Sequence, residues 1–329
     1  MREKTNSKVN KETLFAFLLS NEVQNILKWS QEGSNHPRFS QSLLSKIRMP
    51  IPPKTLPERL EENIIKSNEL SILANRKYDE AAKIVCSELE LDEIQIQNDH
   101  VTIIDHSNFI SDFRLDAQYF SSHKLNSIFL NRFDSKPLQQ LCDKIETGLT
   151  PAKNSYWHKG YPVLKMGCLT NSGIDWSKIE FANEDYFEKA KKYSVEEEDI
   201  FLTSSAHALE HIAKKVDIVI EIPKQYQNLL VFVGEVMRLR VKKELINPNY
   251  LLLFLRTELG YRLFQNCIRG QTAHIYPKDV EKIRIPLIST KKQEKIEELV
   301  KEAHTLLTES TKLIRESVNE VEKIIEHSG

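Results

Sequence analysis

The chain has 329 residues, of which 40% are hydrophobic and 28% are charged, and its formal net charge is −1. A chain of this length folds into roughly two domains, and its apolar content suffices for a sizeable core. The balanced charge excludes a basic surface that dominates the molecule, so a nucleic-acid-binding patch would have to be local and offset by acidic residues elsewhere.

Four cysteines stand far apart without a C-x-x-C pair, at positions Cys86, Cys142, Cys168 and Cys267. Such spacing is typical of small core residues in a reducing cytosol. The polar first segment, MREKTNSKVNKE, has no signal-peptide pattern. The longest apolar runs, at 229–233 and 250–255, are too short to span a bilayer. We therefore expect a cytoplasmic protein.

The first fifty residues predict a small helical segment. Apolar residues at helical spacing over 11–31 indicate a helix or a helix pair. The polar run EGSNHPRFS indicates a loop. The run SQSLLSKIRMPIPP then predicts one helical turn and a short strand, which ends at the prolines.

Two long segments predict long helices, one from Thr55 to about Leu89 and one from Lys291 to about His327. In each, apolar and small residues alternate at spacings of four and three, which is the seam of a helix pair. The two helices would form an antiparallel pair within the chain or a dimer; the alternative is an ordinary amphipathic helix on a globular core. The predicted interface consists of Leu60, Ile64, Ala74, Tyr78, Ala81, Val85, Ile296, Val300, Ala303, Leu307, Ile314 and Val321.

Between the long helices lies a region that is mostly β-structure. The stretch at 94–105 alternates like a strand, and residues 114–133 have a helical pattern. Asn247 and Pro248 then mark the start of a helix, as N-cap and first helical residue. The fold class is therefore α+β, a β-rich domain flanked by two long helices in an antiparallel coiled coil. Further short strands are predicted at 162–166, 199–203, 216–222, 229–233 and 235–243.

The sequence contains an internal repeat at a distance of about 237 residues. Residues 14–64 and 251–300 each contain an apolar helix, a Gly-centred polar loop, a short I-R-x-P strand and a long charged helix. The distance is far longer than the unit of a solenoid. It predicts two large modules in tandem, of which only one is complete.

Two short motifs could indicate catalysis. Residues 247–250 (NPNY) resemble the N-P-P-Y motif of adenine methyltransferases, but the third residue differs and the chain has no Gly-rich S-adenosylmethionine loop. His207-Ala-Leu-Glu210-His211 matches the H-x-x-E-H zinc motif. That chemistry needs both histidines on one helix face and a third ligand, for which the sequence offers no supporting pattern. A zinc hydrolase remains an alternative, beside a polar or DNA-facing turn.

Three polar loops carry side chains of the kind that bind phosphates and base edges. They are residues 147–160, 203–215 and 269–278. An ordinary surface loop is the alternative for each. The candidate DNA-binding residues are Thr150, Lys153, Asn154, Tyr156, Lys159, Lys214, Lys215, Arg269, Gln271 and His274.

An ordered series of motifs carries a resemblance to a known family. The motifs are I-x-x-G-x-T-P at 145–151, G-Y-P-V-L at 160–164, E-E-D-I-F-L-T at 197–203, P-N-Y-L-L-x-F-L at 248–255, R-G-Q-T at 269–272, I-R-I-P-L at 283–287 and K-K-Q-E-K-I at 291–296. The series resembles the target-recognition domain and conserved helix of the specificity subunit of type I restriction–modification enzymes.

The resemblance implies an architecture. Residues 1–53 would be the remnant of the end of a first target-recognition domain, 54–90 a spacer helix, 91–287 a complete target-recognition domain and 288–329 a second long helix. Family members read the two halves of a bipartite DNA site and perform no catalysis. The implied partners are double-stranded DNA, modification subunits that methylate adenine N6 and restriction subunits; S-adenosylmethionine and ATP are bound by those partners, and this subunit has no cofactor.

The sequence departs from the family pattern in two respects. Most of the first recognition domain is missing, which predicts a homodimer or a complementing half subunit; the alternative is a phase-variable or decayed product. The segment after D-I-F-L-T, SSAHALEHIAKK, also lacks the glycines that the family commonly has there. A coiled-coil scaffold without DNA specificity is a third interpretation.

The candidate residues divide into two roles. Cationic side chains would bind phosphates, and their loss would weaken binding to all sequences; these are Lys153, Lys159, Lys214, Lys215 and Arg269. Base reading is assigned to Asn154, Tyr156, Gln271 and His274.

Overall fold

The computed structural model describes residues 9–31, 38, 41–91, 103, 119–120, 132–270 and 273–328. The chain divides into two compact units: a helical unit, Met1–Tyr78 with Lys301–Gly329, and a β-rich unit, Asp79–Val300. The strand expected at 94–105 and the helix expected at 114–133 lie almost entirely outside the described residues. None of the helices in the described ranges is long and apolar enough to cross a membrane.

The helical unit begins with two nine-residue helices, α1 (Lys11–Leu19) and α2 (Asn21–Trp29), as the apolar spacing predicts. Ser20 separates them in an extended conformation, and its hydroxyl donates to the Phe17 carbonyl at 2.7 Å. A short α3 (Gln41–Lys46) follows. The apolar sides of α1 and α2 pack against both long helices in a core that contains Ala16, Phe17, Val23, Leu56, Leu60 and Val321.

The two long helices are α4 (Leu56–Glu88) and α10 (Thr290–Ser328), and each runs from one unit into the other. Within the helical unit they pack antiparallel. Ser67 and Ser310 exchange hydrogen bonds between hydroxyl and backbone carbonyl at 3.1 and 2.9 Å, which small residues allow because the backbones approach closely. The predicted intramolecular antiparallel pair is confirmed.

Most of the predicted seam residues are buried, and the others are half-buried. Within the helical unit Ala74, Ala303 and Val321 are buried, while Ile64, Leu307 and Ile314 are half-buried along the same faces. Ion pairs flank this part of the seam, as between Lys77 and Glu302 at 2.7 Å. In the β-rich unit, Glu88 and Lys292 continue the antiparallel pairing at 3.0 Å. The other seam residues of the β-rich unit, Ala81, Val85, Ile296 and Val300, are buried. In the helical unit, Leu60 is buried and Tyr78 is half-buried.

The β-rich unit contains two four-stranded sheets. The first is antiparallel in the order β2-β10-β6-β8, with β2 at Cys142–Thr147, β6 at Ile200–Thr203, β8 at Val216–Ile218 and β10 at Val236–Val241. The second has the order β3-β5-β4-β9, with β3 at Tyr156–Trp157, β4 at Tyr161–Leu164, β5 at Glu180–Ala182 and β9 at Val231–Phe232. The predicted central strands are thus confirmed, with shorter bounds.

The first sheet buries an ion-pair network. Arg238, on the central strand β10, is fully buried; its guanidinium contacts Glu146 and lies 3.3 Å from the Asp199 carboxylate. Arg240 donates to the same carboxylate at 2.7 Å. Phe232 faces the Arg238 guanidinium at 5.0 Å from the ring centroid. Buried charges are tolerated because each has a partner of opposite sign.

Short elements complete this unit. A two-stranded sheet joins β1 (Ser135–Pro137) to β12 (Arg284–Pro286), and a second joins β7 (Ser205–Ala206) to β11 (Ala273–His274). Between residues 132 and 289 the structure also describes the α-helices α5 (Leu138–Leu141), α6 (Glu184–Ala190), α7 (Pro248–Arg256), α8 (Glu258–Gln265) and α9 (Pro277–Val280). Asn247 caps α7 through Asn249 N–H, as predicted.

The internal repeat is visible in the hydrogen bonds. At an offset of 237, Asn10 corresponds to Asn247, and both are N-caps. The Asn10 side-chain amide donates to Glu61, and that of Asn247 donates to Glu297. Helices α1 and α2 therefore correspond to α7 and α8, and Ser20 corresponds to Thr257, whose hydroxyl donates to the Phe254 carbonyl at 2.6 Å.

The predicted I-R-x-P strand is formed in one copy only. In the second copy Arg284–Pro286 is β12, which pairs with β1, and Arg284 donates to the Ser135 hydroxyl at 3.2 Å. In the first copy, residues 47–50 form no strand, so this prediction is wrong there. A strand needs a hydrogen-bonded neighbour, and β1 precedes β12 by about 149 residues.

Candidate nucleic-acid interface

Two of the three polar loops meet at the turn between β9 and β10, and the third pairs with one of them. The Thr150 hydroxyl of the first loop donates to the Glu235 carboxylate at 2.9 Å and accepts from the Gly234 N–H at 3.1 Å. In the second loop, the Ser204 and Ser205 N–H groups donate to the Glu235 carbonyl at 2.9 and 3.3 Å. The Gly234–Glu235 turn therefore holds two of the predicted loops together.

The third loop joins the second through backbone pairing. Strands β7 and β11 are antiparallel, with Ser205 opposite His274. The Ile275 N–H donates to the Ser204 carbonyl at 2.9 Å. Two loops that are far apart in sequence thus form one edge beside the Gly234–Glu235 turn.

The first loop has a rigid base. A side chain at Gly148 would meet the Phe232 carbonyl oxygen at 2.0 Å, so only glycine fits this close approach. The Leu149 N–H donates to the same carbonyl at 3.1 Å, and its own carbonyl accepts from the Tyr186 hydroxyl at 2.6 Å. Burial raises the pKa of Tyr186, so this hydroxyl remains a donor.

Beyond Thr150 the first loop presents polar and aromatic side chains. Lys153, Asn154 and Lys159 are exposed. Tyr156 is half-buried on β3, and the Lys165 ammonium lies 4.8 Å from its ring centroid. Trp157, which follows it, is 61% exposed, an unusual fraction for a large aromatic residue.

Lys165 is a cation that the sequence reasoning missed. Its ammonium lies 3.0 Å from the Glu180 carboxylate. Partial burial lowers the pKa of Lys165, but the hydrogen bonds and charges of Glu180 and Tyr156 outweigh it, so this pKa is raised above its usual value. The only sequence signal for Lys165 was its position directly after strand β4. A cation over the Tyr156 ring orients that ring and adds positive charge beside the loop.

The second loop ends with two lysines that are not joined to the Gly234–Glu235 turn by any hydrogen bond or ion pair in the described residues. Lys214 and Lys215 are exposed, and the Lys214 carbonyl accepts from the Asn171 side chain at 3.1 Å. Ala213 has a positive φ of 53°, a conformation that glycine adopts more readily. The role of both lysines as phosphate contacts stays a prediction.

In the third loop, Arg269 and His274 both contact other side chains of the protein. Arg269 forms a two-pronged ion pair with Asp279, with Nε at 2.7 Å. The His274 ring stacks on Tyr276 with centroids 6.1 Å apart, and its Nε2 lies 3.4 Å from the Ser205 hydroxyl. Gln271 lies outside the described residues, so its base-reading role also stays a prediction.

Asp217 is a second residue that the sequence reasoning missed, and its carboxylate connects several elements. It is fully buried on β8, where its carboxylate accepts the Asn171 and Gly173 N–H groups at 2.8 and 3.0 Å. Arg256 of α7 donates to it at 2.8 Å. Burial raises the pKa of this carboxyl despite these donors. Asp217 thus ties the turn at 170–173 to both the sheet and α7.

The zinc motif has no helix to support it. Ala206 ends β7, and residues 209–211 form a single 3-10 turn. His207 and His211 therefore do not share a face of an α-helix, which the zinc chemistry needs. Within the described ranges, no group of three His, Cys, Asp or Glu side chains could hold a metal ion.

Comparison with known proteins identifies the family to which this chain belongs. Residues 131–322 match the family model of the type I restriction modification DNA specificity domain, which covers more than half of the chain. The chain belongs to this family. Members of the family are specificity subunits, which are non-catalytic, so the His207–His211 motif is assigned no reaction.

A curated relative is the putative type I restriction enzyme MjaX specificity subunit of Methanocaldococcus jannaschii. It is 26% identical over 193 residues, which are 58% of this chain and 44% of the relative. The chain thus spans less than half of the length of the curated relative that it matches.

Two solved structures are also similar. The type I restriction–modification S subunit from M. genitalium is 13% identical, with a TM-score of 0.47 and coverage of 96% of this chain and 72% of that one. A chain from a study of complex assembly and conformational transition of the type I R-M system is 14% identical, with a TM-score of 0.38 and coverage of 97% and 72%.

Proposed function

We propose that this chain selects the DNA site of a type I restriction–modification system and reads it with the three polar loops, two of which meet at the Gly234–Glu235 turn while the third pairs with the second through β7 and β11. The observation that carries the proposal is this convergence, in a chain of the DNA specificity family. The loops bring Lys, Asn, Tyr and His side chains to one region. Such side chains contact phosphates and base edges.

The candidate residues take two roles in this proposal. Exposed Lys153 and Lys159 contact phosphates, and Asn154, Tyr156 and His274 face base edges. Thr150 positions the first loop, because both of its hydrogen bonds are made within the protein. Arg269 contacts phosphate with a reduced effective charge, because its guanidinium already binds the Asp279 carboxylate. The remaining candidates, Lys214, Lys215 and Gln271, keep the roles assigned from the sequence.

The proposed partners are the other subunits of such a system. Modification subunits methylate adenine N6 with S-adenosylmethionine, and restriction subunits use ATP, so neither cofactor is bound by this chain. The long helices α4 and α10 separate the half-sites of a bipartite DNA sequence in the cytoplasm. The domain division at residues 53, 90 and 287 is part of the same proposal.

The second half-site requires a second recognition module. A homodimer through the predicted seam would compete with the intramolecular pairing of α4 and α10, since Ser67 and Ser310 already bind each other. A complementing half subunit leaves that pairing intact. We therefore favour a complementing half over a dimer through the seam.

Co-expression with the modification subunit of the same system, followed by genome-wide mapping of methylated adenines, tests the proposal. We expect methylation at one bipartite sequence only when this chain is present. Double substitution of Lys153 and His274 by alanine should abolish that methylation, while exposed Lys301→Ala on α10 should not. Methylation that is independent of this chain would exclude the proposal, and binding without sequence preference on a DNA panel would favour the scaffold interpretation.

A further inference from the structure

Glu235 is an acidic residue at the point where the first two polar loops meet. Its carboxylate accepts the Thr150 hydroxyl at 2.9 Å, and its backbone carbonyl accepts the Ser204 and Ser205 N–H groups at 2.9 and 3.3 Å. Because the side chain binds one loop and the backbone binds the other, the carboxylate has a defined position and direction. A side chain that reads a base edge requires such a fixed position.

The same carboxylate lies close to aromatic residues around the first loop. Burial raises the pKa of Tyr156, the charge of Lys165 opposes this shift, and the charges of Glu180 and Glu235 add to it. Burial also raises the pKa of Tyr186, and the charges of Tyr156 and Glu235 add to that shift. Glu235 is half-buried. It therefore lies beside Tyr156, which is itself a candidate for base reading.

Glu235 differs in its partners from two other acidic residues beside the loops. Asp279 binds Arg269, and Glu180 binds Lys165. In the described part of the chain, no cation forms an ion pair with Glu235, and its Oε2 accepts a hydrogen bond while its Oε1 accepts none. An unpaired carboxylate is repelled by DNA phosphates, and covering it without a donor is unfavourable. Its presence in a DNA-binding surface is therefore favourable only if the DNA supplies a donor.

In the major groove, only two of the four bases present a hydrogen-bond donor. Cytosine presents its N4 amino group and adenine its N6 amino group, whereas guanine and thymine present only acceptors. An ionised carboxylate accepts hydrogen bonds and cannot donate, so it rejects guanine and thymine. Adenine also presents the acceptor N7 next to its amino group. Cytosine is therefore the better match for a carboxylate.

We infer that Glu235 reads one base pair of the recognition site by accepting a hydrogen bond from the N4 amino group of a cytosine in the major groove. Thr150 binds one carboxylate oxygen, and the cytosine amino group binds the other. The inference rests on the proposed function, because it assigns a specificity-determining residue to the same loops. Glu235 is acidic, whereas the candidate residues predicted from the sequence are cationic or neutral.

The test compares the base preferences of full-length variants in complex with the modification subunit, by selection from a randomised duplex library. Glu235→Gln keeps an oxygen that accepts from Thr150 but adds an amide donor, so guanine and thymine are no longer rejected. Thr150→Val controls for loop position, because it removes the hydroxyl and keeps the carboxylate. Glu221→Gln controls for charge, because it removes an exposed carboxylate outside the three polar loops.

We expect the wild type to prefer cytosine over guanine and thymine by about tenfold or more at one position, and Glu235→Gln to reduce this preference to about threefold or less. Preferences at the other positions should not change. Thr150→Val and Glu221→Gln should keep the cytosine preference. Replacing the paired guanine by inosine removes only a minor-groove amino group, so wild-type binding should not change.

The inference is wrong if Glu235→Gln changes the affinity for all sequences equally, because Glu235 would then act only through its charge or through Thr150. It is also wrong if Thr150→Val abolishes the same preference, if the lost preference is for a base other than cytosine, or if inosine weakens binding. Wild-type preferences that Glu235→Gln leaves intact would reject this inference alone. A wild type without any sequence preference would reject the proposed function as well.

Discussion

Thr150 and Glu235, 85 residues apart in the chain, are joined by a hydrogen bond of 2.9 Å from the threonine hydroxyl to the carboxylate. The same hydroxyl accepts the Gly234 N–H at 3.1 Å. One side chain therefore fixes the first loop against the turn that also holds the second. The contact is internal, so its effect on DNA binding is expected to be indirect.

Thr150→Val should weaken DNA binding without changing its sequence preference. The substitution keeps the shape of the side chain but removes both hydrogen bonds, which costs roughly 1–3 kcal/mol of loop stability. Affinity for specific and nonspecific duplexes, measured by fluorescence anisotropy, should fall in parallel. Thr150→Ser keeps the hydroxyl and is the matched control. A change of preference at a single base pair would instead indicate that Thr150 reads the DNA.

Lys153→Ala should weaken binding to every sequence and reduce its salt dependence. Lys153 is exposed, and no ion pair holds it among the described residues. A lost phosphate contact lowers the slope of log K against log salt by about one. Lys165→Ala provides a contrast, because Lys165 is already paired with Glu180. An unchanged salt slope for Lys153→Ala would exclude the phosphate contact.

His274→Ala should relax the preference at one base pair. His274 is fixed by strand pairing with Ser205 and by stacking on Tyr276, so its ring has a defined direction. Loss of a base contact costs about 1–3 kcal/mol of discrimination. Selection from a randomised duplex library would measure it, with Gln271→Ala tested in parallel. Equal weakening on all sequences would contradict base reading for either residue.

Ala74→Leu should destabilise the helix pair. Ala74 is fully buried in the seam, where additional methyl groups have no space. Overpacking of this kind costs about 1–3 kcal/mol. The adjacent exposed residue gives the control, since Asn75→Leu should change the free energy of unfolding by less than about 0.5 kcal/mol. Urea denaturation followed by helical circular dichroism compares the two. Equal midpoints would mean that residue 74 is not packed against α10.

The stability of the β-rich unit should fall at alkaline pH because of Cys142. Burial raises the pKa of this thiol from 9.0 to about 12. Above pH 9.0 the thiol ionises in the unfolded chain while the folded one keeps its proton, so unfolding becomes easier by up to about 1.4 kcal/mol per pH unit. The difference in urea midpoint between the wild type and Cys142→Ala should therefore shrink as the pH rises from 8 to 10.5. A constant difference would contradict the shift.

Local features of the fold could be predicted because they depend on neighbouring residues. The four–three spacing of small and apolar residues predicted α4 and α10, and Asn247-Pro248 predicted the start of α7. The strand at 47–50 was predicted wrongly for the same reason. Its own residues are suitable for a strand, but a strand also needs a hydrogen-bonded neighbour, and β12 has that neighbour in β1.

The sequence by itself determined the helix pair, the central strands and the three polar loops, because period, capping and turn chemistry act within a few residues. It also placed the chain in a DNA-specificity class through the order of its motifs. Only the tertiary structure decided that the first two loops meet at the Gly234–Glu235 turn, that the third loop pairs with the second and that Asp217 pairs with Arg256. Each of these depends on contacts between residues tens to hundreds of positions apart, and such contacts follow from how the sheets and helices pack rather than from any local pattern.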